Sequence, residues 1–318
     1  MKKSPFILCT LSVLSAFTTL HSNAEDALLE EVLVTAQRRA ESLNEVPISV
    51  SALSADQLAN AGVKGILELQ SMVPALRLDQ TGSFVQPTIR GVGSAVLGPG
   101  ISSNVAIYID GFYQPSQVGN LFEFSNISQV QVLKGPQGAL FGRNATGGAI
   151  IVNTLDPAFE QVVKIKGSYA SFNDQTLEVY ASNSLSDKLA GDISLYTRKS
   201  DGDIKNAVTG GHDAKKEFDS YRIKFLHDTT DRINLKLALN HSESADARGV
   251  VVQALGGNSA GRNVPGAVVV TEDSPQRTAH DLPAKSDVDT RSVYFTANVD
   301  FDQFSLTSYS GFRDEDVS

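Results

Sequence analysis

The spacing of apolar residues along the chain changes near Pro157. After this point come alternating segments of about ten residues, typified by Ile233, Leu235, Leu237 and Leu239 between polar neighbours. Further segments lie at 163–169, 177–182, 189–199, 220–229, 290–300 and 303–313. One apolar and one polar face at this length predict antiparallel strands, either in a membrane barrel with a polar lumen or in a soluble sandwich.

The lengths of the links between these segments favour the membrane barrel. Short links follow the second, fourth and sixth segments, at 186–188, 230–231 and 301–302. Long links follow the third and fifth, at 200–219 and 244–289, and the short first link is the exception. Near-alternation of long and short links is typical of extracellular loops and periplasmic turns in outer-membrane barrels.

Before Pro157, residues 46–154 predict a compact unit of strands and short helices. Ile48, Val50 and Ala52 alternate in a strand, and Ser54 with Gln57 forms a capping box for the short helix that follows. A second short helix is predicted at 66–72, followed by strands at 76–78, 88–91 and 105–109. Three connecting segments, at 79–86, 93–104 and 112–126, fit neither strand nor helix.

Residues 130–154 form two apolar runs around a segment with glycine at 135, 138, 142, 147 and 148. At an average glycine usage of about 7%, residues 135–148 would contain roughly one glycine. The presence of five indicates a backbone that turns sharply or approaches another group closely. A phosphate-binding loop is disfavoured because no Lys-Ser/Thr pair follows a GxxxxG frame and no GxGxxG opens a helix. A tight structural crossover remains the plain alternative.

Composition and charge point to an exported protein. Residues 1–24 fit a signal peptide, with Lys2 and Lys3, an apolar stretch at 6–20, and small residues before a cleavage point after Ala24. This stretch is shorter than the ~20 residues that span a membrane, and it holds the one cysteine, Cys9. The 27 basic and 36 acidic residues argue against a nucleic-acid partner.

The polar residues show no catalytic or metal-binding arrangement. His212, His227, His241 and His280 are scattered without the spacing of metal ligands, and sequence order suggests no Ser-His-Asp group. We therefore expect no enzyme activity, no resident metal and no cofactor.

A short β-prone segment lies just after the predicted cleavage point, within residues 25–39. It comprises Glu31, Val32, Leu33, Val34, Thr35 and Ala36. Physical arguments allow two interpretations, a frayed terminus or a strand that pairs with the sheet of another protein.

Several of these segments resemble the TonB-dependent outer-membrane receptors. Lys134-Gly135-Pro136 and the GRNATGG string at 142–148 closely resemble the end of the family's plug domain. Ile89-Arg90-Gly91 and Tyr108-Ile109-Asp110-Gly111 resemble two further plug motifs, and residues 31–36 resemble the TonB box. The family usually has a basic and an acidic residue before the Lys-Gly-Pro turn, where this chain has Gln129 and Gln131.

The resemblance implies an α+β plug, a small mixed sheet with short helices, followed by antiparallel strands of an incomplete transmembrane β-barrel. The implied division is a signal peptide at 1–24, a tail with the TonB box at 25–39, a plug at 40–157 and barrel strands at 158–318. Seven strands are too few to close a barrel that in this family has about 22, so an N-terminal fragment is expected.

The implied function is active import of a scarce ligand, most often a ferric siderophore, with energy from TonB and its inner-membrane complex. The implied location is the lipid of the cell outer membrane, with the plug and the TonB box on the periplasmic side. Vitamin B12, haem and oligosaccharides are alternative cargoes. A passive porin, an adhesin-like binding protein and a soluble periplasmic β-rich enzyme are the rival classes.

Two further sets of residues follow from the resemblance. The apical loops of the plug would contact the ligand, and the expected residues are Phe84, Gln86, Ser94, Leu97, Gly98, Phe112, Tyr113 and Gln114. Arg90 and Arg143 would latch the plug to the barrel, with Glu178 and Asp192 as possible partners, because an unpaired guanidinium is costly inside a filled barrel.

Overall fold

The computed structural model describes residues 33–34, 41–42, 47–81, 84–94, 96, 98, 100–118, 120, 122–246, 277–278 and 287–318. The predicted signal peptide lies outside this set. So do Glu31, Val32, Thr35 and Ala36 of the predicted TonB box, and Leu97 of the predicted ligand site.

The first half of the chain combines short strands with short helices. Its strands are β1 (Leu33–Val34), β2 (Glu41–Ser42), β3 (Ser49–Ser54), β4 (Leu76–Thr81), β5 (Phe84–Ile89), β6 (Val92–Gly93), β7 (Val105–Ile109), β8 (Phe112–Tyr113), β9 (Ile127–Lys134) and β10 (Gly148–Thr154). Its helices are α1 (Ala55–Asn60), a 3-10 helix (Leu67–Ser71) and α2 (Gly138–Phe141). The predicted capping box is present, since Ser54 and Gln57 bond reciprocally at the start of α1.

A five-stranded mixed sheet in the order β3-β9-β10-β7-β8 organises this half, which we call the N-terminal unit (residues 47–156). The strands β7 and β10 pair in parallel, whereas the other neighbours are antiparallel. One face packs against α1, the 3-10 helix and β4–β5 through residues such as Leu58, Leu69 and Ile89. The other face, which includes Tyr108 of β7, packs against Phe141 and Ala145 of the crossover. Both faces are covered, so β9 and β10 are almost wholly buried.

The glycine-rich crossover at 135–148 contains the one-turn helix α2, which the sequence analysis did not predict. Gly148 lies at φ +147°, and a Cβ there would overlap the carbonyl oxygen of Leu133. The close backbone approach expected from the glycine density is therefore present between β9 and β10.

One predicted loop is a strand pair instead. Residues 79–86 were expected to lack regular structure, but β4 and β5 form an antiparallel hairpin with Asp79 opposite Gln86 and Thr81 opposite Phe84. Leu76 and Leu78 on β4 and Val85 and Ile89 on β5 are buried, so one face of the hairpin packs into the core, and alternate residues such as Arg77 and Gln86 are exposed or half-buried. The sequence analysis assigned only the apolar ends of these strands.

Long strands make up the second half of the chain. They are β11 (Val162–Ala170), β12 (Asp174–Ser186), β13 (Leu189–Ser200), β16 (Lys216–Thr230), β17 (Ile233–Asp246), β19 (Asp287–Asp300) and β20 (Ser305–Val317). They pair antiparallel in the order β11-β12-β13-β16-β17-β19-β20, which we call the wall. Each predicted segment corresponds to one strand, and the observed strands are longer because pairing continues into the polar flanks.

The two faces of the wall differ as the alternation predicts. Large apolar side chains on one face are exposed, among them Ile165, Ile193 and Phe295. The opposite face carries polar and charged residues, among them Ser194, Arg198 and Lys224, which the N-terminal unit buries. The apolar face therefore points away from the N-terminal unit.

The links divide the wall into two ends. Tight connections at 187–188, 231–232 and 301–304 form the short-turn end. The opposite, long-link end carries residues 171–173, a 3-10 helix, and residues 201–215, which contain β14 (Ile204–Asn206) and β15 (His212–Asp213). In the link between β17 and β19, β18 (Arg277–Thr278) pairs with β14. None of the described helices has the length and hydropathy needed to cross a membrane.

Candidate functional site

A fully buried lysine joins the N-terminal unit to the wall. Lys224, on the polar face of β16, has no exposed side-chain surface. Its Nζ lies 3.1 Å from Asp110 Oδ2 and 3.3 Å from Asp156 Oδ1, and it donates to Leu155 O at 3.1 Å. It also donates to the hydroxyl of Thr154. Lys224 thus binds the turn after β7 and the end of β10 together.

Asp110 is held at its site by several donors. It precedes Gly111 in the two-residue turn between β7 and β8, and it accepts bonds from Thr154 N at 2.8 Å and Thr154 Oγ1 at 2.6 Å. Burial alone would raise the pKa of Asp110, but Lys224, Arg222 and the Thr154 bonds outweigh it and hold the pKa below its ordinary value. The carboxylate is therefore ionised at neutral pH.

A second ionic cluster lies near the long-link end of the wall. Arg198, on β13, donates to both oxygens of Glu123 at 2.8 and 2.9 Å and to Asp174 at 3.1 and 2.9 Å. Lys64 approaches Asp174 to 3.6 Å. Glu123 and Lys64 belong to the N-terminal unit, whereas Arg198 and Asp174 belong to the wall. The two halves are therefore joined by two ion pairs, Arg198 with Glu123 and Lys64 with Asp174.

The connection at 112–126, which the sequence analysis treated as a loop, runs along the wall. Phe112 stacks on Tyr294 with ring centroids 4.1 Å apart, and Tyr309 meets Phe112 edge-on. Gly111 and Gly311 make room for this stack, since a Cβ at 111 would overlap the Tyr309 ring and one at 311 would crowd Tyr294 and Phe112. This aromatic contact joins the same two halves as the ionic clusters, and Phe112 follows Asp110 by two residues.

A cavity of about 630 Å³ opens between the N-terminal unit and the long-link end of the wall. The 3-10 helix and β4 form one side, with Glu68, Gln70 and Gln80, and the wall forms the other, with Phe172 and Arg198. This volume lies within the ~300–1,000 Å³ range of ligand pockets. Its mixed lining of amides, charges and an aromatic ring can hydrogen-bond and stack against a large polar ligand.

The structure divides the predicted ligand residues into two groups. Phe84, Gln86 and Ser94 lie together, because Gln86 Nε2 donates to Ser94 O at 3.0 Å. Gly98 follows in the same connection. Phe112 and Gln114 instead face the wall, where Gln114 is buried. Tyr113 is half-buried and accepts a bond from Asn144 at 2.7 Å. None of these residues lines the 630 Å³ cavity, although Gln80, opposite Val85 in the hairpin, does.

The expected latch pairs do not form within the described part of the chain. Arg90 and Arg143 are exposed, and Arg90 occupies a tight turn at φ +51° between β5 and β6. Glu178 instead accepts a bond from Asn126 N at 2.7 Å, and Asp192 lies opposite Lys224 in the wall register. The neighbouring glycines Gly91 and Gly142 do not bring these arginines close to the wall, because at both positions they form exposed corners.

Leu33 and Val34 are the two described residues of the predicted TonB box. They form β1, which pairs antiparallel with β2, with Leu33 opposite Ser42 and Val34 opposite Glu41. This pairing indicates that the backbone of the segment can take part in a β-ladder.

One acidic group with a histidine lies on the outward face of the wall. His241 Nε2 is 3.2 Å from Asp289 and 3.5 Å from Glu243. The side-chain nitrogen and oxygen atoms that could coordinate a metal ion lie within 4.8 Å of one another in these three residues. The sequence analysis saw no such grouping, because Asp289 reaches His241 only through pairing of β17 with β19. Arg291 also binds Asp289 at 3.3 Å, so the group already contains a cation.

Sequence reasoning missed Lys224, Arg198 and Glu123. The available signal was charge on the polar face of a strand, as in Lys224 and Arg222 on β16. Many residues share that pattern, and only the docked N-terminal unit distinguishes the buried ones.

The chain is similar to known proteins in both of its halves. The model of the TonB-dependent Receptor Plug Domain matches residues 42–149. The pesticin receptor of Yersinia pestis is 32% identical over 200 residues, which cover 60% of this chain and 29% of that protein. The vitamin B12 transporter BtuB of Vibrio vulnificus is 29% identical over 239 residues, which cover 71% of this chain and 38% of that protein.

Solved structures extend the similarity into the wall. The ferric yersiniabactin uptake receptor FyuA from Yersinia pestis has a TM-score of 0.71 and 21% identity, with 85% of this chain and 41% of that chain covered. The ferric-catecholate import receptor Fiu from E. coli K12 has a TM-score of 0.69 and 18% identity, with 90% and 42% covered. At these identities the likeness shows the fold, and it confirms the predicted fold class. The chain spans about a third of the length of the curated relatives it matches.

Proposed function

Because the chain belongs to the TonB-dependent outer-membrane receptors, we propose that the complete protein binds a ferric siderophore and imports it with energy from TonB. The N-terminal unit is then the plug, and the wall is part of the surrounding barrel. The family consists of transport receptors, so the expectation that the chain is not an enzyme is confirmed.

The 630 Å³ cavity at the long-link end is the observation that carries the ligand proposal. Its volume suits a bulky chelate better than a bare ion, and its amides and charges offer both donors and acceptors. The predicted apical residues Phe84, Gln86 and Ser94 lie on the hairpin and connection beside Gln80 and form the second part of the proposed site. The names of a ferric yersiniabactin uptake receptor and a ferric-catecholate import receptor among the similar structures support this ligand class.

Coupling to TonB is proposed for residues 31–36 on the periplasmic side of the outer membrane. Strand addition needs an extended segment with free donors and acceptors. The β1–β2 pair supports this role because Leu33 and Val34 already adopt ladder geometry there. Arg90 and Arg143 are proposed to latch the plug to carboxylates of the complete barrel other than those of the wall, because their exposure leaves them available for such contacts.

The test uses the full-length receptor in a deletion strain of the parent organism, supplied with ferric siderophores as iron source. Val34→Pro removes a backbone donor and fixes φ, so import should fail while ferric siderophore still binds at the cell surface. Val34→Ala is the matched control and should import normally. Normal import by the proline variant would contradict TonB coupling and would favour a passive porin.

Vitamin B12 uptake is a second candidate, favoured by the 29% identity to a vitamin B12 transporter over 71% of this chain. The same deletion strain distinguishes the two by growth on limiting cobalamin with iron in excess. Loss of cobalamin-dependent growth, with unchanged use of ferric siderophores, would replace the siderophore proposal.

A further inference from the structure

A second cavity, of about 110 Å³, lies where the N-terminal unit meets β16, β17, β19 and β20. The side formed by the N-terminal unit has an apolar patch that includes Phe124, Ile127 and Val152, beside the carboxylates of Asp110 and Glu123. The side formed by the wall carries hydroxyl and amide groups, including Ser220, Asn240 and Ser292. The cavity therefore joins an apolar patch of the N-terminal unit to a largely polar face of the wall, and it is separate from the 630 Å³ cavity assigned to the transported ligand.

Arg222 lines this cavity with its hydrogen bonds poorly satisfied. The residue is only 8% exposed, and among the described residues no acceptor bonds its Nε. Nη1 and Nη2 point toward the carbonyl oxygens of Ser125 and Asn126 at 3.5 and 3.4 Å, beyond the usual 2.7–3.2 Å. A buried guanidinium held this weakly is costly unless another acceptor reaches it.

The other charged groups around the cavity already have close partners. Asp110 is bound by Lys224, Glu123 is bound by Arg198, and Arg313 donates to Glu315 at 2.7 Å. His241 lies beside Asp289. In the described part of the chain, no carboxylate comes within 4.0 Å of the Arg222 guanidinium, although Asp110 is close enough for Arg222 to lower its pKa. Arg222 therefore offers the cavity one positive charge, which a ligand with a single carboxylate would match.

We propose that this cavity binds a small aromatic carboxylate, with its carboxylate on Arg222 and its ring against Phe124 and Ile127. A carboxylate matches the planar guanidinium and carries a single charge, unlike phosphate. The apolar patch favours an aromatic ring over an aliphatic acid as short as acetate. A ligand that contacts both halves also stabilises their docking, because it binds the docked arrangement and not the separated one. The site does not depend on TonB coupling or on the identity of the imported ligand.

The test is calorimetric titration of the purified full-length receptor with benzoate, acetate and inorganic phosphate. We expect benzoate to bind more tightly than the other two. Arg222→Gln should weaken benzoate binding about tenfold or more, because a hydrogen bond to a charged group contributes that much. Arg222→Lys should bind with intermediate affinity. Arg291→Gln, a change on the outward face, is the matched control and should leave affinity unchanged.

Crystals soaked in 4-bromobenzoate give an independent readout that does not require a variant. The anomalous signal of bromine is expected beside Phe124 and Ile127. Undetectable benzoate binding, equal affinity in Arg222→Gln, or bromine located elsewhere would each overturn the proposal. Folding of Arg222→Gln is checked by heat-modifiable mobility in gels. If this variant does not fold, the benzoate affinity of Arg222→Lys and the position of the bromine still test the proposal. Import of ferric siderophore by the same receptors is scored separately, so failure here leaves the transport proposal standing.

Discussion

Replacing Lys224 with methionine should loosen the N-terminal unit from the wall more than any exposed charge substitution. The change keeps a linear side chain of similar length and removes the ammonium that, in the described part of the chain, binds Asp110. Removing one partner of a buried ion pair costs about 3–5 kcal/mol because the other charge is left uncompensated. Asp110 keeps its bonds to Thr154, so the lower end of that range is expected. Asp156 adds little, since it is half exposed and keeps Lys236 at 2.6 Å.

Limited proteolysis of the purified full-length receptor measures this loss. When opening is fast relative to cleavage, the rate follows the population of the undocked form. A loss of about 3 kcal/mol corresponds to cleavage roughly a hundredfold faster. Lys236→Met is the matched control, because its only described carboxylate partner is Asp156, and it should change the rate less than about fivefold. Equal rates in the two variants would refute the assigned role of Lys224.

Two further measurements isolate the Asp110 contribution. Lys224→Met combined with Asp110→Asn should recover most of the lost protection, since no unpaired charge then remains. In the parent receptor the pKa of Asp110 is lowered, so its stabilising contribution is present above the ordinary value near 3.8 and is lost as pH falls through the lower docked value. In Lys224→Met, loss of the ammonium should bring the pKa of Asp110 above its value in the parent receptor, and the defect should shrink on acidification. If the faster proteolysis of Lys224→Met changes neither with Asp110→Asn nor with pH, the unpaired charge of Asp110 is not its cause.

Other contacts lead to smaller predictions. Arg198→Met should speed release of the N-terminal unit more than tenfold, whereas Arg77→Met, at an exposed pair, should leave it unchanged under the same protease assay. Phe112→Ala should speed release of the N-terminal unit several-fold, because the stack on Tyr294 is lost. An unchanged rate would show that this stack does not stabilise the docking of the two halves. Arg143→Ala should raise leakage of small antibiotics into cells if the latch proposal holds, and an unaltered leak rate would leave that proposal unsupported. Alanine at Phe84 should weaken siderophore binding in a titration without reducing barrel assembly, and full affinity would move the ligand site to the 630 Å³ cavity alone.

Local structure was predictable where neighbouring residues determine it. The capping box at Ser54 and the turn at Asp110–Gly111 follow from local hydrogen bonds and from backbone angles that favour glycine. The wall strands followed from alternation, because one face meets an apolar and the other a polar environment. The β4–β5 hairpin was missed because its polar residues extend past the buried Leu76 and Leu78 and gave no alternating pattern.

The contacts between the two halves were not predictable from one sequence. Lys224 and Arg222 alternate with apolar residues as any lumen-facing residues would, and nothing local distinguishes them from exposed charges. Their burial depends on residues 68 and more positions away, as in the contact of Lys224 with Asp156. Arg90 and Arg143 were chosen for their glycine neighbours, but those glycines serve turns that place both arginines in solvent.

The paired glycines at 111 and 311 limit how this protein can diverge. Each leaves room for a ring contributed by the opposite half, Tyr309 against Gly111 and Phe112 against Gly311. A larger residue at 111 is compatible with docking only if the ring at 309 becomes smaller. Positions in two separately folded parts of the chain must therefore change together, and an exchange of N-terminal units between related receptors would fail at this contact unless the wall residues were exchanged as well.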